Sequence, residues 1–375
     1  MRSFPGSADR RHGRGLYAVL RLLLLLAMPA LSGCEFGYLA RAAYEESRIL
    51  WNRQPIDQML ARGDLPPATR AKLETVLKVR VFARDQLGET VGGAYGTVSQ
   101  VDKRAIVWVV MATPPTRLTP VTWWFPIVGN VPYRGYFERG DALAEAKRLK
   151  TDGYDTLVRP AVAFSTLGFF DDPLLSNLLA LNRIELAGVI IHELFHRTFF
   201  LASDAMFDES AATWVGGRGA QEFFAYAEGV GSADAVAARA VADSDQTFAR
   251  FLLQAEARLL RLYQSGLPKD EILKQRVAIF ASIQADYAKL APSLSGLERF
   301  DLDKEPLNNA VLSNYLIYFH NLWDFDELRR MNHGDMRATI EKIIRLASSE
   351  PDDPFNPIWW ATHRNGSPAA STPSH

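Results

Sequence analysis

Residues 192–196 read His-Glu-Leu-Phe-His inside an apolar run from Leu186 to Leu201. Such a run favours an interior helix, and on a helix positions i and i+4 share a face. His192 and His196 then aim their imidazoles at one point, with Glu193 projecting beside them. Imidazoles on an apolar helix need partners once buried, and one divalent metal ion supplies a partner to both. A third ligand has to come from elsewhere in the chain. Glu209, thirteen positions after His196 in Phe207-Asp208-Glu209-Ser210, is the candidate. Asp204 and Asp208 are rivals, but Asp208 would point about 100° away from Glu209 on a shared helix, and Asp204 falls in the turn. The spacing predicts two consecutive helices that hold one zinc ion through His192, His196 and Glu209.

The rest of the chain bounds where such a site would work. Its 375 residues, 48% hydrophobic with eight tryptophans, suffice for one large domain with a substantial core. A net charge of −1 gives no electrostatic argument for nucleic acid as a partner. At the N-terminus, Arg2, Arg10, Arg11 and Arg14 precede an apolar stretch from Leu16 to Ala30, interrupted by Arg21 and ending at Leu31-Ser32-Gly33-Cys34. This is the pattern of a secretion signal, and its uninterrupted core, Leu22 to Ala30, is too short to span a bilayer. Residues 31–34 resemble the bacterial lipobox, which implies cleavage before an acylated Cys34. Cys34 is the only cysteine, so the exported chain forms no internal disulfide and a zinc ion has no thiolate ligand. Two or more acyl chains on Cys34 would anchor the protein durably to a membrane. The expected location is the bacterial cell envelope, facing the periplasm. Glu35, rather than Asp, after Cys34 favours the outer membrane.

Periodicity predicts a helix-rich α+β chain with a small mixed sheet. Helices are expected over 38–60 and over 68–87, the latter opened by Pro66-Pro67. Strands are expected over 105–111, 121–131 and 156–164, with a short helix over 141–150 between the last two. Asp172-Pro173 should launch a helix over 174–181. The metal-motif helix follows over 183–201, and Asn182 either caps it or interrupts it. The helix bearing Glu209 is expected to end near Val215, because Gly216-Gly217-Arg218-Gly219 reads as a breaker. Further helices are expected over 233–263, 269–290, 310–330 and 335–347, and the Ser/Pro-rich tail 366–375 as disorder.

Several further segments occur in a fixed order: Pro132-Tyr133-Arg134-Gly135-Tyr136-Phe137, Ser165-Thr166-Leu167-Gly168, Asp171-Asp172-Pro173-Leu174-Leu175 and Asn308-Asn309-Ala310. Together with the Cys34 junction, the His-Glu motif and Phe207-Asp208-Glu209-Ser210, they resemble a bacterial family of zinc aminopeptidases, over about residues 38–347. Phe195 and Arg197 stand where that family has Ala and Gln, and Asp208 where it has Asn. Two histidines on one helix and a glutamate on the next also resemble the gluzincin arrangement of thermolysin-like and alanyl-aminopeptidase-like enzymes. The resemblance implies a zincin-like metallopeptidase fold, zinc as cofactor and a peptide as substrate. The expected organisation is a signal over 1–33, a catalytic domain over 34–365 and a tail over 366–375.

Roles follow from the chemistry. Three protein ligands leave zinc one open position, at which it acidifies water and polarises a carbonyl, and Glu193 is placed to carry the proton to the leaving amine. Tyr318, Tyr136 and Tyr133 are candidate donors to the developing oxyanion, with Tyr318 preferred. Asp171 and Asp172 are candidates for holding a substrate's ammonium group, and Arg134 for gripping a carboxylate or a carbonyl. Phe195 and Phe169-Phe170 are candidates for the cleft wall. The alternative function is a non-catalytic envelope scaffold or chaperone on the same fold, for which the intact Glu193 would have no use.

Overall fold

The computed structural model describes residues 49–101, 107–125, 127–161, 171–296, 302–303 and 306–363. The expected secretion signal, Cys34, Phe169-Phe170 and the tail lie outside the described residues. By internal contacts the chain divides into Met1–Asn52 and Arg53–His375. In the first unit residues 49–51 are helical.

Strand β1 (Arg53–Pro55) and helix α1 (Ile56–Ala61) stand where periodicity predicts the end of one helix. Pro55 explains the break, because its ring disfavours the helical region for Gln54. β1 pairs antiparallel with β2 (Thr97–Ser99), which pairs parallel with β8 (Leu174–Leu175), forming a small mixed sheet. Leu174 and Leu175 therefore do not start a helix. They are buried, β2 takes up their backbone groups, and only a 3-10 turn, Ser176–Ala180, follows. Helix α2 (Pro67–Phe82) opens on proline as expected and runs into a single π-helical turn, Ala83–Leu87.

A second sheet has β3 (Val107–Thr113) between β6 (Arg134–Tyr136) and β7 (Asp155–Ala161), antiparallel to both. Alternation gives this sheet two working faces. Val110 and Ala112 pack on Ala142, Ala146 and Leu149 of α3 (Arg139–Thr151), whereas Val109 and Met111 pack on Ile317 of α8 (Asn309–Phe319). The strand expected over 121–131 is a hairpin of β4 (Trp123–Phe125) and β5 (Gly129–Val131).

Helices dominate the remainder: α4 (Arg183–Thr198), α5 (Ala205–Glu228), α6 (Ala233–Tyr263), α7 (Lys269–Leu290), α9 (Leu322–Met331), α10 (Met336–Ser349) and α11 (Phe355–His363). The fold is helix-rich α+β. The helix expected over 310–330 is two, because the chain turns at His320-Asn321, with Asn321 in the left-handed region at φ +50°. Asparagine tolerates that conformation better than most side chains.

The largest departure is in α5, which runs unbroken through Gly216-Gly217-Arg218-Gly219. A Cβ at Gly216 would sit 2.7 Å from the Gly188 carbonyl oxygen and 3.1 Å from the Cβ of His192. One at Gly219 would meet Ile191 at 2.9 Å. These glycines let α4 and α5 touch backbone to backbone, and packing outweighs their poor helix propensity of about 1 kcal/mol each.

Candidate active site

The site is built where α4, α5 and α8 meet the β3 sheet. Asn182 settles the start of α4: its side chain accepts hydrogen bonds from the backbone of Ile184 and Glu185, and Glu185 accepts from the Asn182 backbone at 3.1 Å. This reciprocal cap contributes about 1 kcal/mol and fixes the helix register. Leu186, Ala187, Ile190, Ile191, Leu194 and Phe195 are fully buried, which leaves His192, Glu193 and His196 along one flank. Phe195 thus belongs to the core rather than to a cleft wall. Helix α5 is capped by Asp204, which accepts from the Phe207 backbone at 2.9 Å. Asp208 accepts from the Leu201 backbone at 2.9 Å and closes the turn between the helices. Both rival acids are engaged there, and Glu209 is the one that reaches the histidines.

His192 and His196 bring their Nε2 atoms within 3.1 Å of each other, and Oε2 of Glu209 lies 3.3 Å from the first and 3.5 Å from the second. A tetrahedral zinc ion with bonds of about 2.0–2.1 Å holds its ligand atoms roughly 3.3–3.4 Å apart. The triangle of two imidazole nitrogens and a carboxylate oxygen has that size and donor set. The residues present therefore fit a small divalent cation. Without a cation the charges lean on one another. Burial raises the Glu209 pKa, but hydrogen bonds from both histidines outweigh it and hold the carboxyl well below its usual range. Burial opposes the charged form of His196, yet Glu209 lifts its pKa to about 9.

Glu193 lies beside this triangle and is partly buried. Burial raises its pKa, the two histidines oppose the rise, and Glu209 and Asp172 add to it, with a net shift upward. That is the direction a proton carrier needs. Tyr95 is close by: burial, followed by the charges of Glu193 and Asp172, pushes its hydroxyl well above the usual range. Its backbone is left-handed at φ +56° and donates to the Asp172 carbonyl at 2.7 Å.

On the Glu209 side, Tyr133 donates to Oε1 of Glu209 at 3.3 Å. The Tyr318 ring stacks on the His192 ring, with centres 6.4 Å apart and planes at 23°. Ser210, next to Glu209, fixes α8 against α5: its hydroxyl donates to the Ile317 carbonyl at 2.8 Å and accepts from the His320 backbone at 3.0 Å. Burial and Glu209 raise the Tyr318 pKa, Arg159 opposes them, and the result is about 12, so Tyr318 is a donor at neutral pH. Arg159 donates from Nη2 to the Tyr318 hydroxyl at 3.0 Å and from Nε to Oδ1 of Asn314 at 2.6 Å.

The remaining sequence candidates are scattered. Asp171 accepts from the Gly93 backbone at 3.0 Å and pairs with Arg197 at 3.0 Å, so its carboxylate fastens the glycine loop before β2 to the end of α4. Asp172 is buried near Glu193. Arg134 pairs across from Val110 and lies over the Tyr136 ring at 5.7 Å, on the α3 face of the sheet, opposite the face that carries Tyr133 and Tyr318. The structure does not bring it to the histidines, and Tyr136 shares its face. Sequence reasoning missed Arg159, Asn314 and Tyr95. Arg159 had a signal: it alternates in step with Leu157 and Ala161, so a charge occupies the inward face of a strand.

No curated protein and no solved structure matches the chain. A family model does, over residues 37–354: the chain belongs to the family described as "Putative aminopeptidase".

Proposed function

We propose that the protein is a zinc-dependent peptide hydrolase on a zincin-like fold, acting from the amino terminus of peptides. The observation that carries this reading is the 3.1–3.5 Å triangle of His192, His196 and Glu209 with Glu193 beside it. Zinc held there supplies Lewis acidity, acidifying water and polarising the scissile carbonyl. Glu193, its pKa raised, accepts the proton of the attacking water and hands it to the leaving amine. Tyr318, kept protonated and oriented by Arg159, donates to the developing oxyanion. Of the acidic pair, Asp172 is the better candidate for the substrate's ammonium, since its charge acts directly on Glu193. Arg134 takes no part. A scaffold role would leave a general base beside three convergent ligands without a purpose.

Elemental analysis of the mature chain tests the metal: about one zinc per chain is expected, and His196→Ala should lose it on dialysis. Equal zinc in both proteins would reject the site. Acetylating the amino terminus of a good peptide substrate should remove most hydrolysis, because a charge-assisted contact worth roughly 1.5–3 kcal/mol disappears. Efficient internal cleavage of the capped peptide would turn the reading to an endopeptidase. The sequence at residues 31–34 supports a lipid anchor at Cys34 in the bacterial cell envelope. Labelling with a fatty-acid analogue that persists in Cys34→Ala would exclude it.

A further inference from the structure

We propose that Arg159 is the anchor for a substrate's free terminal carboxylate, which makes the site one for short peptides whose C-terminus lies two or three residues from the scissile bond. This rests on the peptide-hydrolase reading and adds to it a substrate class.

Arg159 differs from most arginines near the core, sharing with Arg80 hydrogen bonds to neutral groups alone. Arg183, Arg197, Arg218, Arg276 and Arg329 each meet a carboxylate. Among the described residues, no carboxylate forms an ion pair with Arg159. Its two hydrogen bonds go to neutral groups, the Asn314 amide and the Tyr318 hydroxyl. A guanidinium has five N–H donors, so three remain, and Nη1 is not among the side-chain atoms sealed from solvent without a partner. The group is therefore fixed in orientation, and Glu209 acts on its charge without forming an ion pair with it. A desolvated guanidinium with no carboxylate in direct contact keeps donors to offer, and an arriving anion fills them. Arginine's fork suits a carboxylate, which it binds through two parallel hydrogen bonds.

Position supplies the rest. Arg159 projects from β7, paired opposite Val109, onto the face that packs against α8. The Tyr318 ring separates it from the metal ligands: the ring centre is 6.4 Å from that of His192 and 5.6 Å from the guanidinium carbon. These two steps bound the separation at about 12 Å, which two or three extended residues at roughly 3.3–3.6 Å each cover once the contacts at either end, roughly 2–3 Å apiece, are added. Glu209 is the nearest competing anion, but it already serves both histidines and Tyr133. Asp172 stands among the charges around Glu193, and Arg159 among those around Glu209. The two ends of a short peptide thus have separate partners.

The test compares one tripeptide with a free C-terminus against its C-terminal amide, on wild type, Arg159→Gln, Arg159→Lys and Tyr318→Phe. Wild type should prefer the free acid by roughly 10- to 100-fold in kcat/KM, mainly through KM. In Arg159→Gln the preference should collapse toward one, and Arg159→Lys should keep part of it. Tyr318→Phe should slow both peptides alike and leave the ratio intact, which separates carboxylate binding from the positioning of Tyr318. A wild-type ratio within twofold of one, or an undiminished ratio in Arg159→Gln, would overturn the inference and leave the hydrolase reading standing. Hydrolysis of neither peptide would reject the hydrolase reading. Calorimetry of the same two peptides then decides the carboxylate site alone: tighter binding of the acid, lost in Arg159→Gln, supports it, and equal binding ends it.

Discussion

Helix α5 carries two polar clusters, each centred on a buried side chain, and they are opposites. Nine residues beyond Glu209, Arg218 uses every nitrogen of its guanidinium: Nε and Nη2 clasp Asp326 at 2.9 and 2.6 Å, while Nη1 meets Asp243 at 2.7 Å and Gln221 at 3.0 Å. Trp214 adds an indole N–H to the same Asp326 oxygen at 2.8 Å. Every guanidinium nitrogen there has a partner, and the cation faces two carboxylates. Around Glu209, the Nε2 atoms of two histidines and a carboxylate oxygen converge on a point that none of them occupies. Donors of that set at that spacing mark a place for something from outside. The same helix is structural at one position and chemical at the other.

The largest expected effect is at the chemical end. Glu193→Gln should lower peptide hydrolysis by roughly two to four orders of magnitude while zinc content stays at the wild-type level. Rates and metal analysis on one preparation check both halves. Loss of zinc with the activity would mean that Glu193 holds the cluster together and does not act on substrate. The structural end should respond in the other currency. Arg218→Met leaves two aspartates without their cation and should cost roughly 1–3 kcal/mol of stability, below a fully buried pair because Asp243 is 60% and Asp326 29% exposed. Urea unfolding measures it, and the rate per folded chain should not change. A falling rate at full folding would erase the distinction between the two clusters.

How far the sequence reveals this contrast depends on how local each feature is. His192 and His196 are legible because one helix sets their spacing, and the long amphipathic helices α6 and α7 because their periodicity repeats over many turns. Gly216 misleads because a glycine that breaks a helix and one that admits a neighbouring backbone look alike until Gly188 is seen against it. Arg134 and Arg159 both lie in strands near tyrosines, and only the register of β3 with β6 and β7 decides which one faces the histidines. Leu174-Leu175 reads as a helix start because the strand that captures it lies some seventy-five residues away in the chain. Local signals place single helices; pairings across the chain place everything between them.

Gly216 links the two ends of α5 and gives the next effect. A methyl group there would press on the Gly188 carbonyl and on the Cβ of His192, forcing α4 away from α5. Gly216→Ala should therefore destabilise by roughly 1–3 kcal/mol despite alanine's better helix propensity, and should also weaken zinc binding as His192 shifts from Glu209. Thermal unfolding and a competitive zinc titration read the two consequences. A more stable protein with unchanged zinc affinity would show that the close approach is incidental to the site.

The smallest expected effect concerns Glu89, a buried acid that belongs to neither cluster. It is 3% exposed, both carboxylate oxygens lack a hydrogen-bond partner among the described residues, and burial alone pushes its pKa well above the usual range. It is a buried acid like Glu209, but among the described residues no group of ligating type converges on it. Glu89 is therefore a cost without a function. The carboxyl keeps its proton in the folded chain while the unfolded chain releases it above about pH 4.3, so its contribution to stability falls as pH rises through the range between the two pKa values. Glu89→Met, similar in shape and apolar, should raise stability by roughly 1–3 kcal/mol at pH 8 and by less at pH 5, with zinc content and hydrolysis unchanged. Urea midpoints at the two pH values, with activity at pH 8, make the measurement. A variant less stable at pH 8, or one that lost zinc or activity, would show that convergence is not needed for an unsatisfied buried acid to be functional here.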